Sequence, residues 1–450
     1  MFFPLATDYL VWLLVAALAG FALHCARHPH LRAPWARVFR SRVAVASAVV
    51  LACYLAVGLL DSLHYRPALP SKDPAAPVAY AVEVRSVLDA ALEPLRSRLE
   101  KTYSAPLATR LYQKETVERP GGGTAREFPR LAHGGAHLED EADWGKDVAL
   151  RVLAGLAGAV FAWSLAVLAG RRTLVRRWPQ VPWGAAAASL GAILALAGPA
   201  AMLAGGYHVL GTNQVGVDVL YQALKSIRTS LVIGTLTTLV LLPLGIAAGI
   251  AAGYFRGWVD DAIQYLYTTL NSIPGVLLIA ASVLMVQVYV DTNPDLFPTS
   301  AQRADFRLLA LCAILGAVGW TGLARLLRGE ALKLSELEYI QAAHAFGVSH
   351  ARILARHLLP NVAHIVIISL VLDFSSLVLA EAVLSYVGVG VDPSTTSFGT
   401  MINAARLEMA REPMVWWSLA AAFVFMFTLV LAANLFADAV RDGFDPRVRV

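Results

Sequence analysis

The feature that most limits how this chain can fold is a series of apolar runs, each about as long as a helix that crosses a bilayer. A hydrocarbon core of ~30 Å needs about 20 apolar residues as helix. Runs of that kind lie at Leu5–His24, Val43–Leu60, Val148–Gly170, Gly184–Tyr207, Thr229–Tyr254, Ile263–Val290, Leu308–Leu327, Val362–Val387 and Val415–Ala437. Composition agrees: 57% of the 450 residues are hydrophobic and 15% charged, with a mean hydropathy of +0.59. Soluble domains carry roughly 25% charged residues. So much apolar surface has to be solvated by lipid, where helices satisfy their own backbone. The expected fold is an all-α polytopic membrane protein. An ordinary soluble enzyme, a nucleic-acid-binding domain and a disordered chain are excluded. The first run has no basic segment before it and no small-residue cleavage pattern after it, so it reads as a retained span.

Arginine placement orients the spans. Arg27, Arg32, Arg37, Arg40 and Arg42 follow the first run, and Arg171, Arg172, Arg176 and Arg177 follow the third. Arg325, Arg328, Lys333, Arg352 and Arg356 lie at or beyond the end of the seventh, and Arg441, Arg447 and Arg449 follow the last. Short cationic loops stay cytoplasmic. Nine spans put all four groups on one side, with the N-terminus outside and the C-terminus inside. The net charge of +5 is then an orientation signal, and no nucleic-acid partner is expected.

Residues 61–147 form the one long polar stretch, an external insert in this topology. Val84, Val87, Leu88, Ala91, Leu92, Leu95 and Leu99 recur at helical spacing, and Pro94 should kink that helix or divide it. Its apolar stripe makes the insert a candidate external docking surface. Pro120-Gly121-Gly122-Gly123 breaks the chain further on. Glu139-Asp140-Glu141 with Asp143 matches no calcium-loop spacing and reads as a solvated acidic face. Cys25, Cys53 and Cys312 lie in or beside apolar runs, without metal or disulfide spacing. His24, His28 and His30 read as interfacial residues. No phosphate loop and no zinc motif occurs in the sequence.

The loop after the seventh span carries a sharper pattern. Ser335 and Glu338 have capping-box spacing, and Gly347 can end the helix they would start. Ser349 would cap a second helix, Ala351–Leu359, which meets Pro360 at the next span. The small residues Ala342, Ala343 and Ala345 leave one side shallow enough to be gripped. An ordinary interfacial helix–turn–helix fits the same pattern.

Here the sequence resembles a family. Glu338-Tyr339-Ile340-Gln341-Ala342-Ala343 with Gly347 and Leu358-Leu359-Pro360-Asn361 is similar to the EAA loop of ABC importer permeases. Gly211-Thr212-Asn213, Gly216, Asp218-Val219-Leu220 and Arg228-Thr229-Ser230 resemble the entry motif of the dipeptide/oligopeptide/nickel type. The run from Glu381 through Ser385 to Gly390, and Asn434–Asp438 with Arg441-Asp442 and Asp445-Pro446-Arg447, resemble later motifs of that type. The resemblance implies a six-span permease core over 184–450 with the coupling loop at 335–360. Ahead of it come two spans (1–60), the insert (61–147), and a third span with a basic loop (148–183). It also implies a second homologous permease, two cytoplasmic ATPases and an external solute-binding protein. No cofactor is bound by this chain, ATP and Mg²⁺ belonging to the partner ATPases. Glu338, Tyr339, Gln341, Ala342, Ala343, Gly347 and Pro360 would then couple to the ATPase. Gln341 departs from the family's glutamate and Asn213 from its aspartate.

Asp373 would lie about 18 Å into its span at ~1.5 Å per residue. An ionisable group there costs at least ~2.5 kcal/mol unless it meets a partner or water. Both a structural bond and a pathway role remain open for it. Glu381 and Ser385 fall within a family motif and are assigned with Asp373 to the gate or pathway. The expected function is a permease subunit of an ATP-driven peptide importer. An ion-driven secondary transporter and a membrane scaffold or sensor are the alternatives, and Asp373 alone supports the former.

Overall fold

A computed structural model describes residues 2–69, 79–118 and 124–444. The chain begins with α1 (Ala6–Arg27), α2 (Pro29–Val38) and α3 (Arg42–Asp61). The insert holds an antiparallel pair, β1 (His64–Tyr65) and β2 (Arg85–Ser86). Two short helices follow, α4 (Val87–Ala91) and α5 (Glu93–Arg96), then a hairpin of β3 (Glu115–Glu118) and β4 (Thr124–Glu127). Beyond it run α6 (Trp144–Gly170), α7 (Trp183–Ala204), α8 (Val219–Phe255), α9 (Gly257–Ser272) and α10 (Gly275–Thr292). Then come α11 (Ser300–Gly319), α12 (Thr321–Ser335), α13 (Glu338–Ala345) and α14 (His350–Ile353). The described chain closes with α15 (Leu359–Tyr386), α16 (Phe398–Glu408) and α17 (Trp417–Phe444). The Pro120–Gly123 break and the Asp445–Arg447 part of the last motif lie outside the described residues.

Among the described residues, nine helical stretches are long and apolar enough to cross a membrane. Their bounds refine the sequence reading. The run Ile263–Val290 is not one helix: Ile273 sits in extended backbone (φ −93°, ψ 131°) between α9 and α10. Pro274 imposes this, because its ring disfavours the helical conformation of the residue before it. Only α10 of that pair counts as a span. In the insert, Pro94 divides the amphipathic segment into α4 and α5 as expected. Leu88 and Leu95 are buried while Val87 and Leu99 are exposed, so no continuous apolar stripe faces outward.

The chain falls into two compact units. One comprises Met1–Pro4, Ala36–Ser230 and Thr395–Phe436. In it α7 packs on both α6 and α3, and the Trp163 indole donates to the Ala187 carbonyl at 2.7 Å. Tyr54 of α3 donates to the Phe425 carbonyl of α17 at 2.9 Å.

The other unit comprises Leu5–Trp35, Leu231–Ser394 and Ala437–Val450. Its main core joins Leu241, Ile250 and Tyr254 of α8 to Leu323, Ala324, Leu327 and Ala331 of α12. The two backbones approach closely: a Cβ at Gly249 would lie 2.6 Å from the Ala324 carbonyl oxygen, and one at Gly253 2.6 Å from Ala331 Cβ. Small residues at four-residue spacing are how helices meet where lipid offers no hydrophobic drive. A second core gathers Val232, Ile233 and Leu236 with Leu308, Leu311 and Leu315 of α11 and Leu377 of α15. The first helix is fastened here as well, with the Thr7 amide donating to Asp305 at 3.1 Å.

Candidate functional site

The hairpin between α12 and α15 is built differently from the sequence expectation. Ser335 does not cap α13. Helix α12 runs on through it, so its hydroxyl donates back to the Leu332 carbonyl at 2.8 Å and accepts from Arg256 at 2.9 Å. Leu337 occupies the cap position and offers no side-chain bond. Instead the Gln341 carboxamide donates to the Glu336 carbonyl at 3.2 Å, and Arg256 also pairs with the Glu336 carboxylate. Gly347 does end α13, at φ +72°, with the Val348 amide closing onto the Ala343 carbonyl at 3.1 Å. Ser349 precedes α14 without a side-chain cap bond. The second helix then widens into a π-type turn over Leu354–Leu358 and continues into α15. A proline ring clashes with the carbonyl four residues back, here Arg356, and the wider turn makes room for Pro360.

Burial divides this hairpin into an anchored face and an open one. Ile340, Ile353 and Leu358 are buried in the α8–α12 core, with Ala343 packed against it. Glu338, Tyr339, Gln341, Ala342 and Pro360 are exposed, and Phe346 is 86% exposed at the tip. Asn361 ties the two halves together, its amide donating to the Tyr339 hydroxyl at 3.1 Å and to the His357 carbonyl at 2.7 Å. Tyr254, at the end of α8, was not singled out in the sequence. Its hydroxyl lies 2.8 Å from His344 Nε2 and 2.9 Å from His350 Nδ1, so one oxygen joins α13 to α14. No local pattern could reveal a partner 90 residues away.

Of the three residues that the resemblance assigns to a gate or pathway, the structure brings Glu381 and Ser385 together and leaves Asp373 apart. Glu381, 1% exposed, accepts from the Ser385 hydroxyl at 2.6 Å. The chain then doubles back at Gly388, and a Cβ on Gly390 would fall 1.9 Å from the Ser385 hydroxyl. Asp373 is half-buried on α15, about 12 Å from Glu381 along the helix at ~1.5 Å per residue. Beside this turn, Arg307 bridges Asp392 at 2.5 Å and Asp291 at 2.6 Å.

The entry-motif residues form a buried joint. Thr212 is fully buried; its hydroxyl accepts from the Ser104 amide at 2.7 Å and donates to the Thr102 carbonyl at 2.8 Å. Its carbonyl accepts from the Trp417 indole at 2.9 Å. Gly211 turns the chain at φ +73° against the Ser104 carbonyl. Asp218 accepts from the Leu220 amide at 2.8 Å, at the start of α8, and faces His208 Nδ1 at 2.8 Å. Arg228, also buried, donates to Ser62 at 3.3 Å. The other His208 nitrogen lies 3.4 Å from Glu100, which also accepts the amides of Ala132, His133 and Gly134. Burial opposes both charges, but the facing carboxylates push His208 up to about 9. Likewise, His208 and the three amides hold Glu100 down at about 2 against its burial. Lys225 adds a second clamp, 2.6 Å from Asp61 and 3.0 Å from Asp89. Asn213, in place of the family's aspartate, still accepts the Val215 and Val217 amides at 3.0 and 2.9 Å, so the turn survives loss of the charge.

Comparison with known proteins covers much of this chain. The family model for the binding-protein-dependent transport system inner membrane component matches residues 245–450, which include the hairpin and the run from Glu381 to Gly390. The chain is 34% identical over 242 residues to an oligopeptide transport system permease protein of Mycobacterium tuberculosis, covering 54% of this chain and 77% of that one. It is 32% identical over 244 residues to a glutathione transport system permease protein of Pectobacterium atrosepticum, covering 54% and 73%. A solved structure of the MetNI methionine ABC transporter, in inward-facing conformations, is similar at a TM-score of 0.36 and 17% identity, covering 49% of this chain and 97% of that one.

Proposed function

This chain belongs to the binding-protein-dependent transport system inner membrane components, multi-pass membrane proteins, and from that premise we propose that it is the permease subunit of an ATP-driven importer of peptides. The observation that carries the proposal is the likeness to an oligopeptide permease over most of that protein's length. The hairpin supports it: an anchored inner face and an exposed outer face with Phe346 at its tip suit a lever that an ATPase grips. A second permease, two ATPases and an external binding protein complete the assembly, and ATP is hydrolysed in the partner subunits. ATP-dependent uptake of a labelled peptide by vesicles holding all subunits is the expected result. Uptake driven by an ion gradient without ATP would overturn it in favour of a secondary transporter.

Tyr254 gives the coupling reading a specific test. Tyr254→Phe removes one hydroxyl and two bonds, each contributing about 0.5–1.5 kcal/mol. The substitution should lower peptide uptake several-fold while the permease still inserts and binds its partners. An unchanged ratio of uptake to ATP hydrolysis would show that the His344–Tyr254–His350 link takes no part in coupling.

Orientation has its own experiment. A cysteine at Thr124, in a background lacking the native three, should react with an impermeant reagent from outside, and one at Thr173 should not. These positions flank α6, so the reverse labelling would turn the proposed topology over.

A further inference from the structure

We infer that two basic loops at one end of the α3–α6–α7 bundle form a binding surface for anionic phospholipid headgroups. Helix α3 begins at Arg42, α6 ends at Gly170 and α7 begins at Trp183. Since α7 packs along both of the others, these three ends lie on one side. The loops touch there: the Arg40 guanidinium donates to the Gln180 carboxamide at 2.9 Å.

Arg37, Arg40, Arg42, Arg171, Arg172, Arg176 and Arg177 are all exposed. No aspartate or glutamate occurs in residues 9–60 or 148–217, so neither loop carries its own counter-ion. Among the described residues, none of the seven pairs with a carboxylate elsewhere. Ordinary surfaces intersperse the two signs; this one concentrates a single sign in two joined loops. Guanidinium groups bind phosphate oxygens bidentately and strongly.

The surroundings favour a lipid over a free anion. On α6, Phe161, Leu165 and Leu168 are more than half exposed, and their three- and four-residue steps place them on one helix face. The same step leads next to Arg172. An acyl chain lying along this stripe therefore ends beneath a cation. Trp178 and Trp183 follow the arginines of the second loop, the Trp183 indole donating to the Trp178 carbonyl at 2.9 Å. Tryptophan concentrates at the headgroup level of membranes. Basic clusters between spans are known to suit lipids with more than one phosphate, so a two-phosphate headgroup of the cardiolipin type would engage both loops together.

The test uses the purified full chain in nanodiscs of phosphatidylcholine doped with cardiolipin or phosphatidylglycerol. Native mass spectrometry then counts the lipids retained. Anionic lipid should be kept over phosphatidylcholine, with cardiolipin held longest. Arg40→Gln with Arg42→Gln, and separately Arg171→Gln with Arg172→Gln, should each lower retention by about thirtyfold. Each pair leaves the other arginines in place as an orientation signal. A control pair in the insert, Lys101→Gln with Arg126→Gln, should change nothing. Equal retention of anionic and neutral lipid would overturn the inference, as would equal loss in the control pair. Displacement of the lipid by inorganic phosphate at matched phosphate concentration would also overturn it, by making this a free-anion site.

Discussion

Replacing Gly347 with proline should abolish peptide uptake while leaving the spans inserted. Gly347 closes α13 at φ +72°, and proline is confined near −65°. The Val348 amide could then no longer close onto Ala343, and α14 would leave α13 at a different angle. Ile340 and Ile353, seated together in the α8–α12 core, could not both stay in place. A backbone forced out of a required conformation costs about 1–3 kcal/mol, and here that cost falls on the one segment proposed to carry force. Uptake should drop at least tenfold, with ATP hydrolysis no longer stimulated by loaded binding protein. Phe346→Ala separates docking from folding, because this ring is 86% exposed and its loss disturbs no core. It should weaken ATPase co-purification at unchanged thermal stability. Wild-type coupling in both variants would remove the hairpin from the mechanism.

The spans were legible in the sequence because lipid leaves a chain few options. Twenty consecutive apolar residues favour one solution, and among the described residues each of the nine runs holds a helix long and apolar enough to cross a membrane. The exception, Ile263–Val290, failed where hydropathy and backbone geometry disagree: the run stays apolar past Pro274, but the helix does not. The hairpin was legible in outline and wrong in detail. Gly347 announced itself through conformation, a property of one residue. Ser335 misled because capping-box spacing says nothing about whether the preceding helix has already ended.

The insert was the least legible region, for a physical reason. Its fold rests on long-range polar contacts, such as Glu100 with His208 and Ser104 with Thr212. Neither residue of such a pair carries a local signature of the other. Read alone, the insert looks removable; in the structure, excising residues 71–137 would strip buried partners from His208, Thr212 and Lys225. Such a deletion is expected to destabilise its whole unit rather than only weaken docking. Arg307 with its two aspartates escaped notice for the same reason.

His208→Ala tests that joint directly, and its expected effect on stability is the largest proposed. His208, 3% exposed, stands between Asp218 and Glu100, both also buried. Removing it leaves two carboxylates facing each other without the cation, and breaking a buried pair costs about 3–5 kcal/mol. The pH profile identifies the cause. His208 is raised from 6.5 to about 9, so its stabilisation is complete below pH 6.5 and disappears as pH rises through 9. Glu100 is lowered from 4.5 to about 2, so its stabilisation is complete above pH 4.5 and disappears as pH falls through 2. Thermal stability of the purified wild type should therefore be greatest between about pH 4.5 and 6.5 and should decline toward pH 9. In His208→Ala the melting temperature should be far lower between about pH 4.5 and 6.5, the gap to the wild type should narrow toward pH 9, and the alkaline decline should be absent. Glu100→Gln should keep part of that decline, because Asp218 still faces the imidazole at 2.8 Å. A wild-type alkaline limb that persists in His208→Ala would show that another group titrates there. The joint would then rest on its other contacts, those of Thr212, Trp417 and Lys225 among them.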